Sequence, residues 1–527
     1  MDTDDASTHA DRSPTGQFAE RVEPVWRRIR ARFAVDARSL AAFRIALGLT
    51  LLIDLVHRAG SMELFYTDSG MYPVAAYEAT YDQYTGLSLH ALSGDLWLQQ
   101  LLFVVAALFA IAYMLGYRTR LVGFVSLVLL LSLQARNPAV LNGGDRLLRV
   151  LLIVAQVAPL GERWSVDALR RGRARSTVAS FGTAALLIQP LLVFSSNAIL
   201  KHEGETWYAG EALDIAFHND VMTILVGNHL AEFPALLTVL NYAWVSLLAG
   251  SVLFLFVPTG RLRALAALAY MGAFAGMLVT MTIGVFPLAL IVSVTPYLTA
   301  PFWDAIARRI PDGWRDRLST AERLGPLDPS RLLDRPPIED RLLAALRARG
   351  HGSTASFAVS YAHSIMTILG LLMVVWMVSF AAVDVYEYDL PDEVDSPHLD
   401  QQSWGLYAPD PSEGYEWFVL KAGAGNDRET VDLEGTAASP DRPPDAAATY
   451  ETFRHRKFMQ SVRSSGDYDP PGTIAESYAE WACGQVAERG DPVEEVTLYQ
   501  IYQPSPLDGE FESTSHETVI EYECSSG

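Results

Sequence analysis

Residues 184–207 read Ala184-Ala185-Leu186-Leu187-Ile188-Gln189-Pro190-Leu191-Leu192-Val193-Phe194-Ser195-Ser196-Asn197-Ala198-Ile199-Leu200-Lys201-His202-Glu203-Gly204-Glu205-Thr206-Trp207. Such an apolar run predicts a helix across a bilayer, whose hydrocarbon core takes about 20 residues. It stops at a lysine, an acidic turn and a tryptophan, as a helix does at a membrane boundary. Of the 40 Lys and Arg residues in the chain only Lys201, Lys421 and Lys457 are lysines, so Lys201 stands alone in the first 420 residues. A partly desolvated lysine can give up its proton, which arginine in effect cannot. Base chemistry at the membrane, if there is any, belongs at Lys201.

Outward from this run, apolar segments at 39–57, 97–116, 121–135, 235–257, 262–281 and 361–383 also have the character of membrane helices. Two weaker candidates are 146–160, which opens with Arg146 and Arg149, and 283–300, which contains Gly284, Pro287 and Pro296. Membrane helices tolerate Pro and Gly where neighbours cover them. The expectation is an all-α polytopic bundle of about nine transmembrane helices with a small extracytoplasmic α+β domain after it. The first run lies behind a polar, arginine-bearing stretch, so it is no cleavable signal peptide.

Nine crossings with a cytoplasmic N-terminus satisfy the positive-inside rule. Arg27, Arg28, Arg30 and Arg32, then Arg118 and Arg120, Arg170 and Arg171, and Arg261 and Arg263 fall inside, with the ten arginines of 301–355. The 202–234 stretch has no Lys or Arg and falls outside, as does Lys201. The expected organisation is a cytoplasmic segment 1–35, a membrane core 36–300, a cytoplasmic loop 301–355, a last span 356–383 and an outer domain 384–527.

Charge divides the chain in the same way. The 384–527 segment holds 31 acids and 8 bases, a charge of −23, against about +2 for the rest. Such a surface repels a phosphate backbone, which argues against nucleic acid as a partner. Few lysines beside many Asp and Ala resemble proteins of salt-loving archaea; a high-GC genome is the alternative source of the Arg and Ala bias. Cys483 and Cys524 both lie in this tail and could form a disulfide if it faces an oxidising exterior, although nothing in the sequence brings them together. Strand-like alternation at 415–421, 430–433, 494–502 and 517–523 surrounds helical composition at 449–464 and 473–488. The tail opens on an aromatic, turn-rich stretch, Ser403-Trp404-Gly405-Leu406-Tyr407-Ala408-Pro409-Asp410-Pro411.

The chain lacks a phosphate-binding glycine loop, HExxH, CxxC and a serine elbow, and its 11 histidines show no ligand spacing, so no metal is expected. What remains is polar residues at membrane depth, which tend to face protein or a wet cavity. Arg44 either snorkels to the headgroups or pairs in the interior. Asp54 and Arg58 have the spacing of a helical ion pair. In Asn142-Gly143-Gly144-Asp145 the glycines allow close backbone approach, and Asp145 either caps the following helix or serves a site. Tyr66-x-Asp68-x-Gly70 belongs to a turn-forming outer loop, and Trp164-Ser165-Val166-Asp167 sits at the inner side where an interfacial aromatic would anchor.

In this order, with Lys201 followed by Trp207 and Gly210, these strings resemble the HTTM (horizontally transferred transmembrane) family, which includes the membrane core of vitamin K-dependent gamma-carboxylase. The resemblance covers roughly 36–300, and the Ser403–Pro411 stretch is similar to microbial HTTM tails. It implies a quinol- and oxygen-dependent, carboxylase-like enzyme. In the carboxylase a lysine deprotonates reduced vitamin K, oxygen adds, and the base so formed takes a γ-proton from a peptide glutamate, which captures carbon dioxide. Lys201 would be that base, with Asn142, Asp145 and Trp207 lining a site for reduced menaquinone and His202 or His218 relaying protons. Besides membrane lipids, the expected partners are the quinone and an unknown peptide or small-molecule substrate. Two departures stand out: Gly144 replaces a histidine of the animal enzyme, and its large propeptide-binding lumenal region has no counterpart. The rival expectation is a non-catalytic membrane scaffold, or a lipid- or quinone-binding protein, that presents its acidic tail.

Overall fold

The structure is a computed structural model, and it describes residues 23–24, 27–80, 86, 88–171, 175–219, 222–309, 352–386, 405–424, 427–443, 449–467, 472–490, 493–504 and 513–524. Most of the arginine-rich 301–355 loop, together with Ser403 and Trp404, lies outside these residues.

The membrane part is built from α1 (Ala37–Gly60), α2 (Leu96–Met114), α3 (Thr119–Arg136), α4 (Gly143–Val157), α5 (Phe181–His202), α6 (Pro234–Ala249), α7 (Gly260–Thr280), α8 (Phe286–Val294) and α9 (Gly352–Tyr386). Side chains set the helix starts. Asp36 caps α1 through the Arg38 amide, and Ser180 and Thr183 form a reciprocal capping box on α5. A short antiparallel pair, Val35–Asp36 with Thr177–Val178, ties the two starts together.

Of the nine expected spans, six among the described residues are long and apolar enough to cross: α1, α2, α3, α5, α7 and Ser364–Val383 of α9. A seventh is a pair, Phe286–Tyr297 with Ala300–Arg309, bent by 100°. The 146–160 and 235–257 runs are not confirmed as spans. The 15 residues of α4 reach about 22 Å against a hydrocarbon core of about 30 Å. Instead α4 lies inside the bundle against α1, α3, α5 and α8. Leu147, Leu148, Leu151, Leu152 and Val154 are fully covered there. On the outer faces Leu101, Val104 and Leu108 of α2, Leu121 and Phe124 of α3, and Ile368 and Leu372 of α9 are exposed, as lipid contact requires.

The tail is a four-stranded antiparallel sheet of β1 (Gly414–Ala424), β2 (Asp427–Val431), β3 (Glu495–Pro504) and β4 (Ser515–Glu523), in the order β2-β1-β3-β4. Helices α10 (Phe453–Gly466) and α11 (Thr473–Glu488) pack on it. The inward residues Trp417, Phe418, Leu420, Leu498 and Ile501 pack in one cluster with Met62, Phe65, Tyr66, Met71 and Tyr72 of the segment after α1. The tail core thus continues into the membrane part. Cys483 and Cys524 are joined by a disulfide, their Cα atoms 5.7 Å apart.

Candidate functional site

Lys201 sits at the end of α5 and is 3% exposed. Its Nζ donates to the carbonyls of Leu406 (2.6 Å) and Tyr407 (2.8 Å), and lies 3.7 Å from the centroid of the Trp207 ring. The Trp207 indole N–H donates to the same Tyr407 carbonyl at 3.0 Å. Asn241 of α6 supports the tryptophan by donating to its backbone carbonyl at 2.8 Å. Asp410 completes the group by accepting from the amides of Glu205 and Thr206 (both 3.0 Å) and from the Thr206 hydroxyl. Desolvation works to raise the Asp410 carboxyl, but these hydrogen bonds and the Lys201 charge hold it below the usual carboxylate range. Tyr407 has a left-handed φ of 53°, which turns the backbone so that two successive carbonyls face one amine.

A second group lies where α1, α4 and α10 meet. Arg58 donates to Asp54 (2.8 Å), to the Tyr66 hydroxyl (2.6 Å) and to Asp145. From the tail, Arg454 donates to Asp54 (2.6 Å), to both oxygens of Asp145 (3.2 and 3.1 Å) and to the Val140 carbonyl (3.0 Å). Two cations and two anions, each 2% exposed or less, neutralise one another. Asp145 is also half of a capping box with Asn142, whose side chain accepts from the Gly144 and Asp145 amides and donates to the Ile283 carbonyl at 3.0 Å. Capping and ion pairing therefore account for both residues.

The two groups are linked through an apolar cluster that includes Ile283, with Phe286, Leu406 and Tyr407 packed against it. The candidate relays are turned elsewhere. His202 is hydrogen-bonded to the Tyr208 hydroxyl, and His218 lies against Asp214 at 3.1 Å. Among the hydrogen bonds of the described residues, neither ring reaches Lys201. At the opposite end of the bundle Arg44 does not snorkel. It is fully buried and donates to the carbonyls of Leu160 (2.7 Å), Arg163 (3.2 Å), Trp164 and Met114 (3.3 Å). Asp167 accepts from the Arg118 and Thr119 amides and so starts α3. In the tail, burial pushes the His455 imidazole down to about 4, so the ring is neutral at neutral pH.

The family profile described as the HTTM domain matches residues 33–303, just over half of the chain. The chain belongs to the HTTM domain family. No curated protein and no solved structure matches it. The HTTM domain supplies Asp54, Arg58, Asn142, Asp145, Lys201 and Trp207, whereas Leu406, Tyr407, Asp410 and Arg454 come from beyond it. Sequence reasoning missed Arg454 and the role of Asp410. The aromatic turn containing Asp410 was visible, but nothing in its composition named Lys201 as its partner.

Proposed function

We propose that this HTTM protein is a membrane scaffold that fixes and presents its acidic C-terminal domain at the outer surface, with Lys201 acting as a clamp rather than a base. One observation carries this reading: the Lys201 amine is held by two tail carbonyls and the Trp207 face. An ammonium has three N–H groups and no acceptor, so it suits two carbonyls and an electron-rich ring. A neutral amine would turn its lone pair toward the negative face of the indole. A quinol that Lys201 deprotonated would have to donate its hydroxyl to the lone pair of a neutral amine. With two carbonyls on the N–H groups, the Trp207 face takes up that remaining position, which supports the clamp. The outer placement of the tail is supported by the Cys483–Cys524 disulfide, which persists in oxidising compartments.

The test is menaquinol epoxidation by the purified protein with oxygen and bicarbonate, run beside hydrogen exchange of residues 405–411. Wild type, Lys201→Ala and Lys201→Arg are compared. The expected result is no epoxide from any of them. Exchange protection should be lost in Lys201→Ala, by about 1–3 kcal/mol for stranded polar groups, and largely kept in Lys201→Arg, which can still donate and stack. Epoxide from wild type but from neither variant would overturn the clamp reading in favour of lysine-dependent quinol oxygenation.

A further inference from the structure

Three side chains with no shared sequence motif converge where α10 begins. His455 is 1% exposed and its Nε2 has no hydrogen-bond partner. That nitrogen lies 3.5 Å from Glu434 Oε2 and 3.9 Å from Glu451 Oε2. The donor atoms of the three residues all fall within 4.8 Å of one another. Glu434 and Glu451 also line a cleft of about 860 Å³, bounded by Trp481 and Arg489 among others.

The other ring nitrogen fixes the chemistry. Nδ1 is 2.9 Å from the Thr452 hydroxyl oxygen, which also caps α10 by accepting from the Arg454 amide. With Nδ1–H donating to that oxygen, Nε2 is a bare lone pair aimed at two carboxylates, and three acceptors face one another with nothing between them. With the proton on Nε2 instead, the nearest carboxylate oxygen at 3.5 Å makes no hydrogen bond. Both tautomers leave this buried nitrogen unsatisfied, and a cation between the three groups removes the conflict in the first.

We infer that Glu434, Glu451 and His455 form a binding site for a divalent metal ion of the zinc type. One imidazole and two carboxylates are a donor set such an ion accepts. Ligand atoms around a tetrahedral zinc with bonds of about 2.0–2.1 Å stand about 3.3 Å apart. The observed separations from Nε2 need only small movements of two exposed glutamates. The buried imidazole, oriented by Thr452, is the fixed point of the site, and the glutamates close on it from the cleft, where solvent can supply a further ligand. The site also bears on the interface between tail and membrane part. The His455 ring packs 4.9 Å from Phe65, and the preceding residue, Arg454, enters the buried ion network. The inference stands apart from the role of Lys201.

The experiment titrates zinc into untagged, chelator-stripped, full-length protein in detergent, with excess magnesium to occupy unspecific carboxylates. It is repeated on Glu434→Gln, Glu451→Gln, the double variant and His455→Gln, and x-ray absorption at the zinc edge reads the ligands. The expected result is one ion per chain with an imidazole and oxygen ligands, bound at least about tenfold more weakly by each glutamine variant. The two glutamates are exposed, so their variants fold and the comparison holds even if His455→Gln does not. Absence of saturable binding by wild type, binding by the double variant within about tenfold of wild type, or a zinc environment without imidazole would overturn the inference.

Discussion

Arg454 joins the two halves of the molecule, and its neighbours determine what its loss does. Asp54 and Asp145 share Arg58 and Arg454, all in the interior. Removing Arg454 leaves two buried carboxylates with one cation, and breaking a buried pair from one side costs roughly 3–5 kcal/mol. Arg454→Met should therefore lower the thermal stability of the detergent-solubilised protein and free the tail to proteolysis. Adding Asp54→Asn restores neutrality and should recover part of the loss. A single variant as stable as wild type would show that the network does not hold the tail. At this scale the sequence was legible where partners are close. Asp54 and Arg58 are four residues apart, and a cap at the start of α4 was legible, although the capping residue is Asn142 and Asp145 answers it from the third helical position. Arg454 and Asp54 are 400 positions apart, and no periodicity reports such a contact.

Among the elements, α4 shows where hydrophobicity alone misleads. The 146–160 run has the hydropathy of a weak span, but the first turn of α4 carries Asp145 and Arg146, and its companions enclose it. Gly144 explains how closely it is enclosed. A Cβ there would lie 2.6 Å from the Phe286 amide nitrogen and 2.9 Å from the Phe286 Cα, both backbone atoms that cannot swing aside. Gly144→Ala should force α4 and α8 apart, strain the Asn142–Ile283 hydrogen bond and destabilise the protein by about 1–3 kcal/mol. A thermal melt of Gly144→Ala beside Gly143→Ala checks it. The Gly143 Cβ would meet only the Phe286 ring at 3.7 Å, so that variant should be close to neutral. The tail elements were the more legible ones, because alternation marks half-buried strands directly. The strand expected at 415–421 lies within β1, and the one expected at 494–502 corresponds to β3, which starts one residue later at Glu495. The helix expected from 449 starts at Phe453 because Thr452 caps it.

At the scale of the whole molecule the asymmetry of charge becomes one of position. One end of the bundle gathers the arginines: Arg32 donates to the Val257 carbonyl, Arg38 pairs with Asp304 at 2.7 Å, and Arg263 reaches the Arg32 carbonyl at 3.4 Å. The other end carries Lys201, Asn142 and the docked tail, whose segment from 384 has a charge of −23. The positive-inside rule gives the expectation that the basic end faces the cytoplasm and the tail the outside. The disulfide leaves no free cysteine among the described residues, so introduced thiols report topology cleanly. In intact cells a membrane-impermeant maleimide should label Ser513→Cys, which is exposed in the tail, and should reach Arg308→Cys, exposed at the end of Ala300–Arg309, only after permeabilisation. The reverse pattern would place the acidic domain inside, and the tail could then not be presented at the outer surface.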